Sequence, residues 1–314
     1  MYTKNKKSYR DRLKKSYWDR LKKSWQLYVI IALPVAYVLL FSYGPMYGIQ
    51  IAFKDFDPYI GIWKSPWVGI QNIKRFVTSY SFNRIIWNTI SISIYGLIAG
   101  MPVPILLAIS LNECSNVKLR KLVQTITYAP HFISTVVMVS MIIMFLSVNS
   151  GGLNNLITFF GGTRRNFMAE PMLFQTIYVI SGIWQGMGYG SIIYLAALTS
   201  IDPTYYEAAI IDGATRIKKI FYIDLPCIAP TIIILLILNA GSLLSVGFEK
   251  IYLMQNDLNL RKSEIIATYV YKQGIDSADF SYSTAVSLFN SIVNLILLTA
   301  VNKLASIYSE TSLW

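Results

Sequence analysis

Six stretches of this chain are apolar over the length of about 20 residues that a helix needs to cross a bilayer, and they constrain everything else. They cover residues 27–53, 85–111, 128–148, 172–199, 227–246 and 282–301, with no Asp, Glu, Lys or Arg in any of them. The whole chain is 54% hydrophobic and 14% charged, against roughly 25% charged residues in soluble domains. The fold class expected is an all-α membrane protein with six transmembrane helices. Pro34 and Gly44-Pro45 should kink or interrupt the first run. Gly96, Gly100, Pro102 and Pro104 should bend the second and let it pack closely.

An even number of spans puts both termini on one side. With the N-terminus inside, the inner segments hold 17 Lys and Arg and the longer outer loops hold 11. The positive-inside rule therefore places both termini in the cytoplasm. On that topology the chain divides into a basic arm, residues 1–26, and a membrane domain, residues 27–314. The domain has outer loops at 54–84, 149–171 and 249–281 and one substantial inner loop at 200–226.

The arm carries ten Lys and Arg against two Asp. It repeats every eight residues: Lys6-Lys7-Ser8-Tyr9-Arg10-Asp11-Arg12-Leu13 is followed by Lys14-Lys15-Ser16-Tyr17-Trp18-Asp19-Arg20-Leu21. On a helix Tyr9, Leu13, Tyr17, Leu21 and Trp25 form one stripe, which suits a basic amphipathic helix on the anionic leaflet; a basic tail that only sets topology fits equally well. The net charge of +12 sits in this arm and at membrane ends, so membrane lipid rather than nucleic acid is the expected partner. A single histidine excludes a multi-histidine metal site, and no metal site is expected. Cys114 and Cys227 fall in or beside inner connections and should be free thiols.

A charge at mid-membrane costs roughly 2.5–3.5 kcal/mol on insertion scales, and ion-coupled transporters keep such charges to carry the coupling ion. These runs hold neither a carboxylate relay nor an arginine-rich helix. Any work done here must draw on an outside energy source.

Between the fourth and fifth runs lies a short polar segment. Asp202 can cap a helix whose first turn accepts Pro203. That helix should run from 203 to about 212, and Gly213 permits a sharp exit. A second short helix, capped by Thr215, should carry Arg216, Lys218 and Lys219 and end before Pro226. Ala208 and Ala209 leave a narrow backbone that another protein can approach, with Glu207 beside them to meet an arginine or an amide.

Glu207-Ala208-Ala209, three residues, Gly213, nine residues, and Ile223-Asp224-Leu225-Pro226 together resemble the signature of ABC importer permeases. The resemblance runs over nearly the whole chain and is nearest the carbohydrate-uptake permeases of the oligo- and polysaccharide branch. It includes Pro45-Met46-Tyr47-Gly48, Ala52-Phe53-Lys54-Asp55-Phe56, Ser65-Pro66-Trp67-Val68-Gly69, Leu111-Asn112-Glu113, Gln124-Thr125-Ile126-Thr127-Tyr128, Pro130-His131-Phe132-Ile133-Ser134, Tyr194-Leu195-Ala196-Ala197-Leu198 and Ser312-Leu313-Trp314. Asp224 stands where relatives often have Thr, at a position expected to be free.

This resemblance implies a type I ABC importer fold. It implies a second homologous permease subunit, two cytoplasmic ABC ATPase subunits, and an extracytoplasmic sugar-binding protein or lipoprotein. The Glu-Ala-Ala loop would be the coupling helix seated in the ATPase, with Glu207, Ala208, Ala209, Asp212, Gly213, Ile223, Leu225 and Pro226 making the joint. The chain has no G-x-x-x-x-G-K-[ST] phosphate loop, so no cofactor is expected on it; ATP and Mg would bind the partner ATPase, and this subunit would not be an enzyme.

A sugar path needs hydrogen-bonding groups and aromatic faces on otherwise apolar helices. Candidates are Tyr128 and His131, in a stretch resembling a path-lining segment of oligosaccharide permeases. Further candidates are Gly182, Trp184, Gln185 and Gly186, read as a loosened part of the fourth helix, and Asn239, Ser242, Ser245, Phe248 and Glu249. Each competes with a packing role, since buried Asn and Ser join helices and glycines let them approach. Two other classes compete with the importer. A membrane-embedded glycan-processing enzyme would need an acid/base pair or metal ligands at the membrane face, whereas the acids here are scattered. A non-ATP-driven channel or scaffold would work without an ATPase.

Overall fold

The structure is a computed structural model describing residues 23–241, 244 and 246–308. The basic arm as far as residue 22, Leu243, the path candidates Ser242 and Ser245, and Ser312-Leu313-Trp314 lie outside the described residues. Among the described residues the protein is helical, with one isolated bridge between Lys54 and Trp67.

Four helical stretches are long and apolar enough to cross a membrane: Trp25–Phe53, Phe82–Asn112, Arg216–Gly241 and Phe280–Leu304. The first begins as α1 (Trp25–Val38), passes Pro34 without ending, widens to a π turn at Leu39–Tyr43 and tightens to a 3-10 helix at Gly44–Phe53. Its irregularity thus begins at Leu39, past Pro34, and continues through Gly44-Pro45. The second joins α2 (Phe82–Gly100) to α3 (Pro102–Asn112) through Met101, whose backbone stays helical. The bend expected at Gly96–Pro104 is a hand-over within one stretch of 31 residues.

The third span departs from expectation. Residues 128–148 are not one helix: α4 (Val117–Tyr128) continues as a 3-10 turn to Phe132, and α5 (Thr135–Phe145) leaves at 102°. Ile133 is extended, and Ser134 caps the new helix by accepting from the Val137 amide at 3.4 Å. At 11 residues α5 is about 16 Å long, half the thickness of a hydrocarbon core. Hydropathy could not see the break, because every residue from 135 to 145 is apolar or small.

The fourth run is α6 (Pro171–Thr199), 29 residues without interruption. It has the length to span, but Gln, Tyr, Trp and Gly keep it out of the group that is apolar enough by composition. The loosening expected around Gly182–Gly186 is absent. These glycines thin the helix without breaking it.

α6 is the axis of the molecule. It packs along α3, α2 and α4. A Cβ at Gly188 would sit 2.0 Å from the Thr127 carbonyl oxygen, so the α4–α6 crossing is as close as backbone allows. α7 (Pro203–Ile211), α8 (Arg216–Lys219) and α9 (Leu225–Gly241) follow, then α10 (Phe248–Met254) and α11 (Phe280–Tyr308). Cys114 and Cys227 are free thiols.

One end of the bundle is a cap made from the connections 54–84 and 249–281. Asn88, buried on α2, donates to the carbonyls of Arg261 (3.1 Å) and Glu264 (3.0 Å). The buried Glu264 carboxylate meets Arg84 at 2.5 Å and Lys272 at 3.7 Å. Phe76, Ile85, Ile266, Tyr282 and Val286 form the apolar core beneath. At the opposite end a second core gathers Ala108, Ile109, Tyr194, Leu198 and Ile228 directly behind the α7–α9 segment. α1 buries almost nothing: Leu33 is 77% exposed, as suits a helix that faces lipid or another subunit.

Candidate functional site

The polar segment between α6 and α9 is a built joint rather than a loose loop. Asp202 accepts from the Thr204 amide at 2.9 Å and caps α7. That hydrogen bond from the backbone holds its carboxyl below the usual range. At the other end Gly213 has φ +71°, and the Ala214 amide reaches back to the Ala209 carbonyl (2.8 Å) while Gly213 reaches Ile210 (3.0 Å). This is the paired hydrogen-bond closure that a left-handed residue after a helix makes. Thr215 then caps α8, accepting from Lys218 at 3.4 Å.

α8 does not stop before Pro226 as expected. It passes through a π turn, Ile220–Asp224, straight into α9, so Arg216–Gly241 is one helix. Pro226 falls in the first turn of α9, and the Leu225 amide reaches the Ile220 carbonyl across the widened turn. The π turn gives the backbone the slack that a proline without an N–H requires.

Asp224 is not a free position. It is fully buried, and its Oδ1 accepts a 2.5 Å hydrogen bond from the Tyr206 hydroxyl. Burial, together with that bond and the Asp224 charge, pushes the Tyr206 phenol well above its usual range. The second oxygen of Asp224 has no hydrogen-bond partner among the described residues. So α7 is pinned to the root of α9, while its outer face stays open. Glu207, Ala208, Asp212 and Gly213 are exposed, Ile210 and Ile211 are 62% and 85% exposed, and Ala209 and Ile223 are half-buried.

The second feature is a cavity of about 650 Å³ between α2, α3, α6, α9 and α10. Four path candidates line it: Gly182, Gln185, Gly186 and Asn239. Gln185 also donates to the Ile133 carbonyl at 3.0 Å, satisfying the extended residue at the α4–α5 break. The others lie off this wall. The exposed His131 stacks on Tyr189 at 4.0 Å and 2°, and Trp184 is 42% exposed. Tyr128 is half-buried at the end of α4. Phe248 packs with Tyr252 and Tyr271, and Glu249 is exposed. Tyr178 and Lys250 line the cavity and were absent from the sequence reading. The only signal for Lys250 was a cation four residues beyond the end of the fifth run, next to the candidate Glu249.

Residues 100–306 match the family described as binding-protein-dependent transport system inner membrane component. The chain belongs to that family. It is thus a multi-pass membrane component of a transport system. Among its relatives, Protein LplB of Bacillus subtilis is 42% identical over 92% of this chain and 91% of its own length. The polygalacturonan/rhamnogalacturonan transport system permease protein YteP of the same organism is 44% identical over 92% and 90%. Among solved structures, a bacterial alginate ABC transporter in complex with alginate pentasaccharide-bound periplasmic protein contains a chain that superposes with a TM-score of 0.87. That chain is 38% identical, with 94% of this chain and 99% of that one covered.

Proposed function

We propose that this chain is a permease subunit of an ATP-driven ABC importer that takes up an oligosaccharide or polysaccharide fragment. In this reading it has six spans, α6 and the broken α4–α5 unit included, with both termini cytoplasmic. It pairs with a second homologous permease, two cytoplasmic ATPases and an extracytoplasmic sugar-binding protein. Transport of polygalacturonan and rhamnogalacturonan by one relative, and import of alginate by the transporter of a structural neighbour, support the substrate class.

One observation carries the mechanism: an exposed α7, capped at both ends, is locked by Tyr206 and Asp224 to the root of a membrane-spanning helix. ATP and Mg would act on the partner ATPase, and its closure would push on Glu207, Ala208, Ala209, Asp212 and Gly213. The push would pass through Ile223, Leu225 and Pro226 into α9, which forms part of the cavity wall through Leu235 and Asn239. Gly182, Gln185, Gly186 and Asn239 would line the sugar path. The test is uptake by the complete complex in proteoliposomes. ATP-dependent accumulation of an oligosaccharide supports the reading, and uptake indifferent to ATP refutes it.

A further inference from the structure

Among the described residues Lys250 is the one charged side chain in the cavity wall, and it is 9% exposed. Its ammonium donates to the Tyr178 carbonyl at 3.0 Å and lies 4.8 Å from the centre of the Tyr178 ring. Among the described residues no carboxylate comes within 4.0 Å of it. Buried ammonium groups are ordinarily paired, because a carbonyl and an aromatic face recover only part of the lost hydration. Three N–H donors are present and one is spent on Tyr178.

The space beside this charge is kept open. Gly182 faces it, and a Cβ there would already lie 3.4 Å from Nζ. The cavity falls within the range of about 300–1,000 Å³ that holds drug-sized ligands. Ser93, Thr135, Gln185 and Asn239 add polar groups around the opening, and none of the wall residues is an acid. A wall with one cation, no anion and several neutral polar groups favours a hydroxyl-rich ligand that places one negative charge at this point of the wall. A phosphate, by contrast, carries about −1.5 to −2 charge at neutral pH, more than this single cation neutralises.

We propose that Lys250 is the counter-charge for a carboxylate of the passing sugar, so the cargo is a uronic-acid oligosaccharide and not a neutral one. This rests on the oligosaccharide-importer reading and narrows it. The site is carried by this chain itself, so discrimination is not left wholly to the binding protein.

The test uses the intact transporter in proteoliposomes with its binding protein, given trigalacturonate or its fully methyl-esterified form at concentrations that saturate the binding protein. Wild type should import the acid at least about tenfold faster than the ester. Lys250→Met, in complexes shown by size-exclusion chromatography to be assembled, should cut trigalacturonate import about tenfold or more, and Lys250→Arg should restore most of it. Equal import of acid and ester by wild type overturns the proposal without any variant having to fold. An assembled K250M complex that imports the acid as wild type does overturns it too. Import of the ester alone leaves the importer reading standing while refuting the counter-charge. If instead ATP drives the uptake of a non-sugar solute and of neither sugar, both readings fall together.

Discussion

Tyr206 on α7 donates a 2.5 Å hydrogen bond to Asp224, a fully buried carboxylate in the π turn at the root of α9. Two elements separated by the Gly213 turn are thereby made one body. The core behind them, with Leu198 and Ile228 fully packed, gives that body a firm seat on α6. In the proposed coupling, a force on the exposed face of α7 would pass through this pair and this core into α9.

Tyr206→Phe should therefore be worse than Asp224→Asn. Loss of the phenol removes the only hydrogen bond that the Asp224 carboxylate receives among the described residues, which costs on the order of 1–3 kcal/mol or more. An amide at 224 still accepts from Tyr206 and removes the charge. Thermal unfolding in detergent should rank wild type above D224N and D224N above Y206F. The ratio of sugar imported to ATP hydrolysed should fall most in Y206F.

Gly213 and Gly188 separate two reasons for a glycine. Gly213→Ala places a Cβ at φ +71°, at a cost of about 1–2 kcal/mol. Nothing stands within 4 Å of that Cβ, so the subunit should fold, with weaker capture of the ATPase in a pull-down. Gly188→Ala drives a Cβ to 2.0 Å from the Thr127 carbonyl oxygen and must part α4 from α6. Its yield of folded protein on size-exclusion chromatography should collapse, whereas Gly186→Ala, with open space beside it, should be close to wild type.

Much of the joint was legible in sequence because caps and turns are local chemistry. Asp202-Pro203, Gly213 and Thr215 each announce what the backbone does within a few residues. The α4–α5 break was not legible, because it is made by two extended residues, Ile133 and Ser134, and the Ile133 carbonyl is satisfied by Gln185, far away in the chain. Asp224 was missed for the same reason: its partner lies 18 residues back, and a spacing rule treats its position as filler. Lys250 was hidden because a lysine just past a span reads as an interfacial anchor, and only packing against Tyr178 and Gly182 shows it lining a cavity.

Import should also depend on pH through Lys250. Burial lowers its pKa to about 8, so the ammonium is fully charged only below that value. Among the described residues the other titratable groups in the cavity wall are the phenols of Tyr178 and Tyr194. Import of a uronate oligosaccharide should then fall as pH rises through about 8, with the uronate itself ionised throughout. In Lys250→Arg the fall should vanish, since a guanidinium stays charged. Initial rates between pH 6.5 and 9.5 check this (a range of about three units around the expected midpoint).

The central claim is that Glu207 and its helix receive work from an ATPase on another chain. The most direct measurement is ATP-driven oligosaccharide uptake in proteoliposomes that hold the complete transporter, compared between wild type and Glu207→Ala. Wild type should accumulate sugar only with ATP inside and binding protein outside, and the variant should lose most of that uptake. Uptake by wild type without ATP, or a Glu207→Ala complex that imports at the wild-type rate, would contradict it.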